Sequence, residues 1–91
     1  FRVDIREIES ALLEMEEVAE AACVPWRDEA TEQHLSAFIV CRPGSHLSSR
    51  AARARLLARL PEWKTPAHVH VIDDLPTTLT GKPDRRALES R

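Results

Sequence analysis

The sequence predicts an α+β domain, a small three-stranded sheet with helices packed on it. Three observations predict it. Ile5, Ile8, Leu12 and Met15 recur at helical spacing near the start. Three short apolar runs, at residues 18–24, 35–41 and 69–72, have the length of strands rather than helices. A second helical pattern, Ala52, Leu56 and Leu60, lies between the last two runs. With 91 residues the chain makes one domain with a small core.

The elements follow in the order helix, strand, strand, helix, strand, helix. The first helix is expected over residues 4–15. Asp4 is placed to cap it, with Glu7 three residues on as the reciprocal partner of a capping box. Acids crowd its first turns, where the helix dipole favours them. Residues 18–24 read as a strand closed by Pro25. Residues 26–34 read as a polar loop, and 35–41 as a second strand centred on Phe38, Ile39 and Val40. Arg42, Pro43, Gly44 and Ser45 are turn chemistry. Ser48 or Ser49 caps a second helix that runs through Leu60, with Ala52, Leu56 and Leu60 toward the core and Leu57 alongside. Pro61 stops it and Pro66 marks a second break. Residues 69–72 form the third strand. A last helix is expected from Pro83, a residue suited to a first helical turn, to about Ser90. No internal repeat, low-complexity tract or linker interrupts the chain.

Charge and composition narrow the function classes. The formal net charge is −2, but the charges are segregated. Residues 4–32 carry ten acids against Arg6 and Arg27, whereas residues 48–60 carry Arg50, Arg53, Arg55 and Arg59 and no acid. A nucleic-acid surface would combine such a stripe with stacking aromatics and an overall basic domain. The aromatics are Phe1, Trp26, Phe38 and Trp63, none of them in the basic segment, so no nucleic-acid partner is expected. The arginines are either a solvated helix face or a docking face for a larger partner. No apolar run is long enough to span a membrane, and no signal-peptide pattern is present. Cys23 and Cys41 lie in apolar runs and read as buried free thiols. A cytoplasmic protein without membrane contact is expected. The chain starts at Phe1 without a methionine and enters structure almost at once, as a segment of a longer polypeptide would.

The candidate chemistry centres on Thr80-Gly81-Lys82. A lysine at a loop tip, directly after a glycine, can deliver one cation to a phosphate or carboxylate held by another group. The same tripeptide also fits a solvated lysine in a surface turn. A Walker A loop is excluded at both ends, because Pro76 occupies its first glycine position and Pro83 its hydroxyl position. His68 and His70 share one face of a strand, but no third ligand is placed to complete a metal site, and none is expected. His34 and His46 fall in loops. Ser48-Ser49 has no neighbouring base and fits a helix cap better than a nucleophile. With Gly44 and Gly81 as its glycines, the chain has no Gly-rich phosphate loop.

Three stretches together carry a family resemblance that spans almost the whole chain. Phe1-Arg-Val-Asp-Ile-Arg-Glu-Ile-Glu9 resembles a Gly-Tyr-Arg-Ile-Glu-x-x-Glu-Ile-Glu motif entered just after its glycine. Leu60-Pro-Glu-Trp-Lys-Thr-Pro66 resembles Leu-Pro-x-Tyr-Met-x-Pro. Leu75-Pro-Thr-Thr-Leu-Thr-Gly-Lys-Pro-Asp-Arg85 resembles a terminal lysine motif. In this order they resemble the C-terminal subdomain of the adenylate-forming superfamily: acyl-CoA synthetases, nonribosomal peptide synthetase adenylation domains and luciferases.

The resemblance implies an activity. Such enzymes join a carboxylic acid to ATP as an acyl-adenylate, releasing pyrophosphate, and then transfer the acyl group to a thiol. The acceptor is coenzyme A or the phosphopantetheine of a carrier protein. A large N-terminal subdomain, absent here, would hold ATP, Mg²⁺ and the acid, and residues 1–91 would be the mobile lid. By position Lys82 matches the lysine that bridges carboxylate and phosphate oxygens during adenylation, with Thr80 and Gly81 in its nucleotide-facing loop. Arg2, Val3 and Glu7 match the segment that faces the active site in the second, thiolation pose. The isolated chain is expected to be inactive.

Departures from the family pattern are local. Trp63 replaces a tyrosine, Lys64 an apolar residue and Arg6 a frequent glycine. Thr80 stands where many peptide-synthetase domains have asparagine. Lys64 is a second cation among these motifs, and Lys82 remains the expected catalytic one. The run Ala-Ala-Cys-Val-Pro-Trp-Arg-Asp-Glu29 most resembles peptide-synthetase adenylation domains, which activate amino acids for a carrier protein. An acyl- or aryl-CoA ligase is the alternative within the family. A non-catalytic docking module for a carrier protein is the alternative outside it.

Overall fold

The computed structural model describes residues 4–27 and 33–89. Within them the elements are α1 (Ile5–Leu13), β1 (Val18–Arg27), β2 (Gln33–Cys41), α2 (Ser49–Arg59), a 3₁₀ turn (Glu62–Lys64), β3 (His68–Val71) and α3 (Arg85–Glu89). This is the expected order with one 3₁₀ turn added. The strands form a single sheet in the order β1-β2-β3. β1 and β2 pair antiparallel, with Cys23 opposite Ala37 and Ala22 opposite Phe38. β2 and β3 pair parallel, with Phe38 opposite His70, and α2 is the crossover that parallel pairing requires.

The two-residue period of the strands sorts the core into two layers. One face of the sheet carries Cys23, Ala37, Ile39 and Val69, packed with Ile8, Leu12 and Met15 from the α1 region and with Ala52 and Leu56 of α2. The other face carries Ala22, Val24 and Phe38, packed with Leu75 and with Leu88 of α3. The sheet therefore lies between α1 and α2 on one side and the C-terminal segment on the other.

Several local expectations are corrected. Pro25 does not close β1, which continues to Arg27 and pairs Pro25 with Leu35. β1 is an edge strand, where a missing N–H costs no ladder bond. Trp26 and His34, expected in a loop, are paired with each other across β1 and β2. The capping box does not form. Asp4 caps α1 by accepting from the Arg6 amide at 2.9 Å, while the Glu7 carboxylate is taken by Lys64. Leu57 is an exposed residue of α2, whereas Leu60 packs against the core from the cap position. Cys23 is buried, but Cys41 is only half-buried. Both are free, and the register places them opposite Ala37 and Val18. Pro83 precedes α3 rather than opening it.

The segregated charges meet in the fold. Arg55 of α2 makes a two-pronged contact with Glu17, at 2.8 and 2.9 Å, and Arg59 reaches Glu14 at 2.8 Å. Arg53 donates to the Pro66 carbonyl at 3.0 Å. The hydrogen bond from Arg55, helped by the backbone N–H of Glu17 itself, holds the Glu17 carboxyl well below its ordinary value of 4.5, at about 2. Much of the arginine face is thus neither a purely solvated surface nor a vacant docking surface. It binds the second helix to the loop after the first. On the edge of the sheet, the Cys23 amide donates to the Glu9 carboxylate at 2.8 Å, so α1 also satisfies backbone on β1.

Candidate functional site

The segment after β3 builds a short hairpin whose geometry follows from its sequence. Thr77 and Pro83 form an antiparallel bridge. The bonds on either side of it run from the Thr78 amide to the Lys82 carbonyl at 2.8 Å and from the Asp84 amide to the Pro76 carbonyl at 2.7 Å. Thr77 and Pro83 therefore occupy a non-hydrogen-bonded pair, the position in a ladder where proline loses nothing. The turn closes with the Gly81 amide donating to the Thr78 carbonyl at 2.9 Å. Gly81 has φ +83°, a left-handed conformation that favours glycine. The Thr78 and Thr80 hydroxyls lie 3.0 Å apart, within hydrogen-bonding distance.

Both stems of the hairpin are anchored. Leu75 on one side and Leu88 on the other are buried in the same layer, against Val24 and Phe38. Asp84 caps α3, accepting from the Ala87 amide at 3.2 Å. Residues 77–83 themselves are exposed. Lys82 therefore stands at the end of a hydrogen-bonded arm fixed at its base, and no described residue bonds its ammonium. A shallow groove of about 520 Å³ lies between β3 and the start of α2, lined by Phe38, Leu47, Ser48, Val69 and His70. It does not include Lys82.

The structure brings Thr80, Gly81 and Lys82 together and places Glu7 elsewhere. Glu7 lies on α1, which packs on the face of the sheet opposite the layer that anchors the hairpin. Its carboxylate accepts from Lys64 Nζ at 3.1 Å. The same ammonium lies 5.3 Å from the centre of the Trp63 ring, a cation–π distance. Lys64, the second cation of the motifs, thus joins α1 to the 3₁₀ turn. Glu7 and Lys64 are 57 residues apart, and no local pattern announces their contact. Arg2 and Val3 lie outside the described residues. His70 stacks on Phe38 at 4.9 Å, with the His68 ring 6.1 Å away. No group of three His, Cys, Asp or Glu among the described residues could hold a metal. No helix there is long and apolar enough to cross a membrane.

The profile of the AMP-binding enzyme C-terminal domain family matches residues 7–82. The chain belongs to that family. It is the C-terminal subdomain of adenylate-forming enzymes, as its motifs implied. It is 39% identical over 90 residues to the L-allo-isoleucine:holo-[CmaA peptidyl-carrier protein] ligase of Pseudomonas savastanoi pv. glycinea, covering 98% of this chain and 15% of that relative. It is 43% identical over 88 residues to the benzoate–CoA ligase of Thauera aromatica, covering 92% of this chain and 16% of that one. The crystal structure of ATP-bound MatB from Rhodopseudomonas palustris superposes with a TM-score of 0.90 at 27% identity, over 99% of this chain and 18% of that one. The chain thus spans under a fifth of the length of each of these three proteins.

Proposed function

We propose that this subdomain is the mobile lid of an adenylating enzyme that activates a carboxylic acid, most simply an amino acid, as its acyl-adenylate. The observation that carries this reading is the anchored hairpin that ends in Gly81 and an exposed Lys82. Attack of a carboxylate on a phosphate brings two anions together and builds charge in the transition state. An ammonium placed there offsets both effects, and the hydrogen-bonded turn fixes the backbone from which the lysine extends. Thr80 adds a hydroxyl beside it. One cation and one hydroxyl at an exposed tip fit a contribution to a nucleotide held by another domain, and do not amount to a complete ATP site. ATP and Mg²⁺ would supply the activated phosphate from the large N-terminal subdomain.

The second half-reaction uses the other side of the molecule. Glu7 and the α1 segment that carries it belong to the layer opposite the hairpin. Both surfaces cannot face one active site in the same pose, which supports a rotation of the lid between adenylation and thiol transfer. Glu7, fixed by Lys64, would then border the path of the incoming thiol, together with Arg2 and Val3. A carrier-protein phosphopantetheine is the acceptor we favour, and coenzyme A is the alternative. The relatives include one ligase named for a peptidyl-carrier protein and one named for CoA.

The test is pyrophosphate–ATP exchange in the full-length enzyme, wild type against Lys82→Ala, across amino, aryl and fatty acids. Exchange should fall by about 10²–10³, the usual effect of losing one electrostatic stabiliser. The acid that supports exchange names the branch of the family. Unchanged exchange in Lys82→Ala would leave a docking module as the better reading.

A further inference from the structure

The hairpin carries one residue that its chemistry alone does not require. Leu79, between the two bonded threonines, has 108% relative exposure, more than the side chain would show in an extended peptide. The other exposed large apolar residues described, Leu13, Leu57, Trp63 and Val71, lie between 40% and 55%. Leu79 contributes nothing to either core layer. Its backbone lies within the Thr78–Gly81 turn, closed by a 2.9 Å bond, so its position relative to Lys82 is fixed by the same bonds that hold Lys82.

Resting on the adenylation reading of Lys82, we infer that Leu79 is a docking residue that seats the hairpin in an apolar recess of the enzyme's own large N-terminal subdomain. Two observations select this occupant. Leu79 stands fully exposed in the turn that Lys82 directly follows, so a surface that receives the Lys82 ammonium lies within three residues of it along the hairpin. And the chain spans only 15% of a relative that it matches over nearly its whole length, so most of such an enzyme lies beyond this subdomain. Burying one leucine side chain biases a docking equilibrium by about 10- to 100-fold. That is enough to favour the docked pose and small enough to leave it reversible, as a lid that must swing away requires. Leu79 is a positioning residue, because it touches neither the acid nor the nucleotide.

The experiment compares Leu79→Ser, Leu79→Met and Lys82→Ala in the full-length enzyme. Pyrophosphate–ATP exchange and thiol transfer from pre-formed adenylate are measured for each, together with molar mass by light scattering. Leu79→Ser should lower exchange about 10-fold, Leu79→Met should retain most of it, and thiol transfer should be unchanged in both. Because Leu79 is fully exposed in the lid, neither change should disturb folding. Normal exchange in Leu79→Ser beside a collapse in Lys82→Ala overturns the docking role and leaves the lysine reading intact. Normal exchange in both overturns the two together. Equal loss of both half-reactions in Leu79→Ser, loss in Leu79→Met as large as in Leu79→Ser, or a changed molar mass with normal exchange also overturns the docking role. The last result would assign the tip to a second copy of the chain.

Discussion

Gly81→Ala isolates the backbone term in the presentation of Lys82. An ideal Cβ at Gly81 would meet no heavy atom within 4 Å, so substitution creates no clash. The cost comes from φ +83° alone. Holding an L-residue in the left-handed region costs about 1–2 kcal/mol, and the stiffer unfolded chain returns about 0.4–1 kcal/mol. The net is about 1 kcal/mol, charged to a surface turn rather than to the core. The loss of correctly turned hairpin should slow pyrophosphate–ATP exchange by about 3- to 10-fold for Gly81→Ala. Asparagine tolerates this region better than alanine, and a β-branched residue tolerates it worst. Exchange should therefore rank wild type, Gly81→Asn, Gly81→Ala, Gly81→Val. The thermal midpoint should scarcely move in any of them. Wild-type exchange in Gly81→Val would refute the argument that this backbone angle positions the lysine. An equal loss in all three variants would point to a steric requirement that the open space around Gly81 does not contain.

Leu88→Ala empties a buried position at the base of the hairpin and should cost about 2–5 kcal/mol. Hydrogen exchange should show the Thr78 and Asp84 amides losing protection more than those between β1 and β2, and uniform loss would mean that the two layers are not separable. The Glu17 carboxyl, depressed by Arg55 to about 2, contributes stability that is present above 4.5 and lost as pH falls toward 2. The difference in denaturant midpoint between wild type and Glu17→Gln should accordingly be constant near neutrality and close across that acid window. A difference that persists below pH 2 would contradict the pairing.

The fold was legible where patterns are local. The stripe of Ile8 and Leu12 and the helix spacing of Ala52 and Leu56 each predict the face that is buried, and the apolar run centred on Phe38 marks a strand, whose Ala37, Phe38 and Ile39 are buried on its two faces. Pro25 misled because proline reads as a stop, and only strand order shows that it sits on an edge where its missing N–H is harmless. Leu57 misled because one apolar neighbour beside a stripe does not say how wide the buried face is. The arginine helix could be read two ways, since its partners Glu14 and Glu17 lie 45 and 38 residues away. For the site, the Gly81-Lys82 turn was legible because a glycine beside a lysine acts over a few residues, whereas Pro83 read as the opening of the last helix and the cap that Asp84 provides was not anticipated. The Glu7–Lys64 contact and the separation of Glu7 from Lys82 by the sheet are products of topology. The exposure of Leu79 was not legible either, because a leucine beside two threonines reads equally well as buried.

The central claim is that Lys82 acts in acid activation and not in thiol transfer. The most direct measurement is the two half-reactions of the full-length enzyme followed separately in Lys82→Ala. Formation of acyl-adenylate should fall by about 10²–10³ while transfer from pre-formed adenylate to the thiol stays near the wild-type rate. Equal loss of both steps, or loss of neither, would contradict it.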